Sequence, residues 1–134
     1  MTLFLDSNVL LDIFTLDPSW SDWSIAQIRP HAGRPGSLLI NGVVYAAISA
    51  RATTQEAVDS DLGGFGIRML EPGRPAFFSA GQAFAAYRDR GGSRSTILPD
   101  FIIGAHAAEL GVPLVTRDPR RYRTYFPDLA LVSP

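Results

Sequence analysis

Cysteine and lysine are both missing from this chain of 134 residues, and each absence closes off chemistry. Without cysteine there is no disulfide framework, no thiolate zinc site and no thiol nucleophile, a profile that fits a cytosolic protein without requiring one. Without lysine there is no P-loop, whose lysine reaches the nucleotide phosphates, and no Schiff base, which needs a lysine amine. All twelve cations are therefore arginines, a bias that codon usage in a GC-rich genome produces on its own. Charge of one sign is lacking too. Thirteen acidic residues bring the formal net charge to −1, so no strong positive field covers the whole chain, and contact with nucleic acid has to be local. No apolar run approaches the roughly 20 residues that cross a bilayer, and Asp6 follows Met1 to Leu5 too soon for a targeting segment. A soluble, cytoplasmic protein is the expectation.

Hydrophobic residues at 46% and charged residues at 19% describe one globular domain spanning residues 1–134. A domain of this size buries roughly two thirds of the surface of its unfolded chain and needs no metal or disulfide merely to fold. The apolar pattern predicts a repeated strand, cap and helix. Leu3-Phe4-Leu5 is a short strand closed by Asp6-Ser7-Asn8, and Val9, Leu10, Leu11, Ile13 and Phe14 follow at helical spacing with Ser7 or Asn8 as N-cap. A helix over Ser19 to Ile28 ends in the Pro/Gly-rich stretch Pro30 to Gly36. Ser37 to Ile40 reads as a second strand, Val43 to Ala52 as its helix, and a helix from Thr54 is expected to stop in a turn at Gly63-Gly64-Phe65-Gly66. After a strand at Ile67 to Leu70, a core helix runs from about Pro75 to Arg90, and a further helix runs from Asp100 to Leu110 with Pro99 in its first turn and Gly111 as its stop. Pro113 to Thr116 forms a strand, Arg117-Asp118-Pro119 its turn, a short basic helix reaches Phe126, and Leu129 to Val132 is the last strand. Such alternation gives an α/β layered fold with a mainly parallel sheet, whose ligands bind beyond the carboxyl ends of the strands.

Three carboxylates occupy positions that solubility alone does not explain. Asp6 ends the first strand, Asp100 opens a late helix, and Asp118 follows the fourth strand. Singly, each has an ordinary reading as a turn-former or a helix-dipole partner. Together they converge, because a parallel sheet places the ends of the first and fourth strands side by side. Two like charges about 4 Å apart repel by about 4 kcal/mol at an effective dielectric of 20, so such a cluster needs a proton or a divalent cation. Hard oxygen donors without cysteine or a well-spaced histidine pair select Mg²⁺ or Mn²⁺ over Zn²⁺, and a site of that kind suits phosphodiester hydrolysis. His31 and His106 are read as structural.

Four blocks carry a resemblance to a known family: Asp6-Ser7-Asn8-Val9-Leu10-Leu11, Ile40-Asn41-Gly42-Val43-Val44-Tyr45-Ala46-Ala47-Ile48-Ser49, Leu98-Pro99-Asp100-Phe101-Ile102-Ile103-Gly104-Ala105-His106-Ala107 and Leu114-Val115-Thr116-Arg117-Asp118-Pro119. In this order and nearly end to end, the chain resembles the PIN-domain ribonucleases, and most closely the VapC-type toxins of bacterial toxin–antitoxin pairs. The resemblance implies a PIN-like three-layer fold, a five-stranded parallel sheet flanked by helices. It also implies an acidic pocket that binds Mg²⁺ or Mn²⁺ and cuts single-stranded or structured RNA, leaving a 5′-phosphate and a 3′-hydroxyl. Asp6, Asp100 and Asp118 would be the catalytic, metal-holding acids, with hydroxyls from Thr116 and Ser7 near the metal. A VapB-like antitoxin in the apolar groove near Trp20 and Trp23, and a homodimer, are likewise implied.

One departure stands out. The family has a glutamate where this chain has Ala47, either through an engineered change that silences a toxic nuclease or through natural loss, and reduced activity is expected in both cases. The rival to the endoribonuclease is therefore a catalytically degraded PIN module that binds RNA or protein. Aspartyl-phosphate phosphatases and receiver domains share the strand-Asp-helix opening but use a lysine that is missing here, and the phosphatases usually place a second Asp where this chain has Asn8. Arginines 88, 90 and 94, and 117, 120, 121 and 123, form two basic clusters expected to flank the pocket, where their planar forks suit phosphates.

Overall fold

Five short strands, all paired in parallel, order themselves β3-β2-β1-β4-β5 in a computed structural model that describes residues 1–134. They are β1 (Leu3–Leu5), β2 (Leu38–Ile40), β3 (Ile67–Met69), β4 (Leu114–Val115) and β5 (Leu131–Val132). Seven helices connect them: α1 (Ser7–Phe14), α2 (Ser21–Ile28), α3 (Gly42–Ser49), α4 (Gln55–Phe65), α5 (Arg74–Asp89), α6 (Leu98–Leu110) and α7 (Arg120–Tyr125). The expected three-layer α/β architecture is thus present, with every strand pair parallel. No helix is long and apolar enough to cross a membrane.

The central strands are apolar throughout because both faces are covered by helices. Every residue of β1, β2 and β4 is buried. One cluster then joins the sheet to Val9 and Leu10 of α1, Val44 and Ile48 of α3, and Phe101 and Ile103 of α6. The chain leaves β1 toward β2 and β3 on one side and returns to β4 and β5 on the other, so the switch in strand order falls between β1 and β4. Their register, Phe4 opposite Leu114 and Leu5 opposite Val115, brings Asp6 and Thr116 side by side at the carboxyl edge.

Local signals fix the helix ends. Asn41 caps α3 by accepting from the Val44 amide at 3.1 Å, Thr54 caps α4 through the Ala57 amide at 3.1 Å, and Pro99 sits in the first turn of α6. Two expectations are corrected. Neither Ser7 nor Asn8 caps α1: Asp6 does so itself, accepting from the Ser7 amide at 2.7 Å. The helix α4 also does not stop at Gly63-Gly64 but runs through both to Phe65, and Gly66, at φ 72°, ends it. Each glycine costs about 1 kcal/mol in a helix, but packing overrides that cost: Val58 and Leu62 are buried one turn apart, and the Phe65 ring lies 6.3 Å from Phe14. The helix expected from Asp100 begins two residues earlier, at Leu98, following a single 3₁₀ turn over Ser95–Ile97.

Candidate active site

Asp6 is 4% exposed, and its carboxylate is held from every side. Oδ1 accepts from the Ser7 amide at 2.7 Å, while Oδ2 accepts from the Thr116 hydroxyl at 2.8 Å and the Tyr122 hydroxyl at 2.9 Å, with the Asn8 amide nitrogen at 3.5 Å. Burial pushes its pKa above the ordinary carboxylate value of 3.8, the three donors oppose that rise, and the charge of Asp118 adds to it. Tyr122, buried and facing Asp6, is held well above its usual pKa by desolvation and by the nearby carboxylates, so it remains a donor.

Asp118 stands on the exposed turn after β4, where its amide donates to the Thr116 hydroxyl at 3.1 Å. Asp100 reaches the same hollow from the first turn of α6. Its pKa is pushed up to about 6, first by burial and then by Asp6, with Asp118 adding to the rise and Arg121 and Arg94 working against it. The nearest cation is Arg121, at 3.9 Å. The three acids expected from the sequence therefore share one electrostatic neighbourhood. No group of three His, Asp or Glu side chains closes to metal-ligating distance.

The surrounding polar network was less visible in the sequence. Asn8 ties α1 to the turn after β4: its Nδ2 lies 3.3 Å from Thr116 Oγ1, and its Oδ1 accepts from the Arg117 amide at 3.4 Å. Ser7 meets Asp6 through its amide. The arginines divide by role. Arg117 donates Nε to buried Asp12 at 2.8 Å and lies 5.6 Å over the Trp20 ring, Arg121 faces Asp100, and Arg90 covers Tyr125 at 5.2 Å. His106 is structural, as expected. It packs edge-on against Phe4 at 5.0 Å and lies 3.1 Å from Asn41 Nδ2. Because Asn41 Oδ1 is committed to the α3 cap, Nδ2 faces the histidine and Nδ1 must accept, which fixes the neutral ring. Burial accordingly lowers its pKa.

Asp100 yields a stability prediction. A carboxylate whose folded pKa lies above 3.8 costs stability as pH rises from 3.8 through about 6, and the cost vanishes where both states are protonated. Taken at face value the shift is worth about 3 kcal/mol, but the side chain is 40% exposed and solvent screening leaves about 1 kcal/mol. Asp100→Asn is therefore expected to raise the melting temperature of the metal-free protein by about 4 °C at pH 7.5. Thermal denaturation at pH 4 should show little difference between the two proteins. Equal melting temperatures at pH 7.5 would contradict a cost of holding the Asp100 charge in this partly buried, acidic hollow.

The sequence matches the PIN domain family over residues 3–127, and the chain belongs to that family. Its fold is also that of solved toxin–antitoxin proteins. The VapBC-1 structure from nontypeable Haemophilus influenzae aligns with a TM-score of 0.72 at 18% identity, covering 99% of this chain and 98% of that one. The DNA-bound VapBC2 structure from Rickettsia felis aligns with a TM-score of 0.68 at 17% identity, covering 99% and 98%. FitAcB from Neisseria gonorrhoeae aligns at 0.65 and 17%, covering 97% and 96%. No curated protein matches in sequence.

Proposed function

We propose that this chain is a toxin-type endoribonuclease in which Asp6, Asp100 and Asp118 hold Mg²⁺ or Mn²⁺ and direct hydrolysis of phosphodiester bonds in RNA. The observation that carries the reading is the gathering of three acids at the switch point, where burial first and then the charges of Asp6 and Asp118 push Asp100 up to about 6. The donor set fits a hard dication. Mg²⁺ commonly takes one or two carboxylates and keeps several waters, so a closed cage of three protein ligands is not required. When bound, the cation supplies Lewis-acid polarisation of the phosphoryl group and an activated water.

The chain's own residues divide the remaining work. Thr116 and Tyr122 saturate Asp6 Oδ2, which leaves Oδ1 as the atom with spare capacity and fixes the direction in which the carboxylate presents it. Asp118 extends the negative charge toward solvent, where a polynucleotide arrives. Asp100 holds a proton at mildly acidic pH and releases it as positive charge enters the hollow. Ala47 supplies no carboxylate, so activity is reduced. The VapBC neighbours support an antitoxin partner for this chain; its seat near Trp20 and Trp23, a homodimer and a cytoplasmic site of action are further parts of the proposal.

The alanine also favours a second reading, a PIN module that has kept RNA or protein binding and lost catalysis. A Mn²⁺ titration separates the two. For the nuclease, saturating Mn²⁺ at about 100 times its dissociation constant should stabilise the protein by about 2.7 kcal/mol at pH 7.5 and by less at pH 5, with slow cleavage of a labelled single-stranded RNA. Unfolding that ignores Mn²⁺, together with intact RNA, would reject the metal site and leave the binding module.

A further inference from the structure

The turn after β4 and the helix α7 enclose an open cleft of about 520 Å³, lined by Arg117, Asp118, Pro119, Arg120, Arg123 and Thr124. Its three arginines are not equivalent. Arg117 has given Nε to Asp12, which ties it to the protein interior. Arg120 enters no ion pair, and the longest-range contact of Arg123 is a 3.4 Å approach to Ser133 Oγ. Residues three apart on a helix share a face, so Arg120 and Arg123 project together. The other side of the same helix sends Tyr122 to Asp6 and Arg121 to Asp100. The helix α7 thus stands between the acidic hollow and the basic cleft, and Asp118 borders both.

We propose that this cleft is the groove for the RNA backbone, in which Arg120 and Arg123 hold phosphodiesters adjacent to the one presented at Asp118. For the identity of its ligand the proposal rests on the nuclease reading above. Arginine forks match phosphate oxygens in pairs, and both side chains are exposed and free of ion pairs, with Arg123 giving one Nη2 hydrogen bond, at 3.4 Å, to Ser133 Oγ. An acidic protein segment would satisfy the charge, but it gains nothing from a groove that opens onto further carboxylates. A polynucleotide does, because the strand held by the arginines delivers its next phosphate to the acids.

The test is fluorescence anisotropy with a labelled 12-nucleotide oligouridylate and the whole chain, in EDTA so that neither metal nor cleavage enters. Each phosphate contact on a single strand contributes about −0.7 to the slope of log affinity against log salt. Arg120→Gln/Arg123→Gln should flatten the slope by about 1.4 and weaken binding at 0.1 M salt on the order of tenfold or more. Arg29→Gln/Arg34→Gln, which removes the same charge before β2 at the opposite edge of the sheet, should leave the slope unchanged. Circular dichroism checks that both variants fold. The groove is overturned by an unchanged slope in the first variant, by an equal loss in the second, or by displacement of the RNA by polyglutamate at equal charge. Because binding is read without metal, a failure to cleave removes the nuclease while a flattened slope still sustains the RNA groove.

Discussion

Ala47→Glu is expected to raise Mn²⁺-dependent cleavage of single-stranded RNA by about 100-fold, the upper end of what a metal site loses when one supporting side chain is removed. The reason lies in the economy of oxygen donors. Asp6 Oδ2 is already occupied by the hydroxyls of Thr116 and Tyr122, so a further carboxylate adds a donor that can share the cation or orient a water. The helix α3 is capped by Asn41, directly after β2, the strand that pairs with β1. Ala47 lies on it between buried Val44 and Ile48 but is only half-buried, so a longer side chain does not have to enter the core. Ala47→Gln is the control, with the same length and no charge. Single-turnover rates across a Mn²⁺ series decide the matter: glutamate should tighten the metal dependence and raise the limiting rate, and glutamine should do neither. Equal rates for all three proteins would show that position 47 does not serve the site.

The parts of this arrangement that could be read from the sequence are those in which chemistry sits next to a strong local pattern. Asp6 and Asp118 follow apolar strands, and Asp100 follows a helix-starting proline, so their positions at element ends were legible, and the parallel sheet placed the first and last of them together. Tyr122 was not legible. It belongs to a helix of six residues, too short for an apolar period to show which face turns inward, and its partner Asp6 is 116 positions away. For the same reason the run Arg120, Arg121, Tyr122, Arg123 reads as a uniform basic cluster, although the folded helix turns its two middle members to the acids and its two outer members to the cleft. Asp6 as its own helix cap escaped notice because the strand and the helix share that residue, and two patterns competed for it. Gly63 and Gly64 misled in the opposite direction: their local preference for a turn was outweighed by contacts with distant residues such as Phe14.

Arg117→Met is expected to cost about 3 kcal/mol of stability and to loosen the acidic turn at the same time. Asp12 is buried in α1 with its side chain 3% exposed, and its Oδ2 accepts from Arg117 Nε at 2.8 Å and from the Ser24 hydroxyl of α2 at 3.1 Å. Breaking a buried pair by removing one member leaves a desolvated charge and costs roughly 3 to 5 kcal/mol. The lower figure applies because the Arg117 side chain is 33% exposed, so water can reach part of the vacated space. Asp12→Asn/Arg117→Met removes both charges and keeps a partner for Ser24, so urea denaturation should show about 2 kcal/mol recovered relative to Arg117→Met alone. A loss below 1 kcal/mol in the single variant would mean that the pair contributes little. The pair also fastens α1 and α2 to the residue immediately before Asp118, whose backbone is further held by Asn8. If that fastening sets the position of Asp118, the double variant will regain stability without regaining Mn²⁺ affinity, because an amide and a thioether refill the space but no longer anchor the turn.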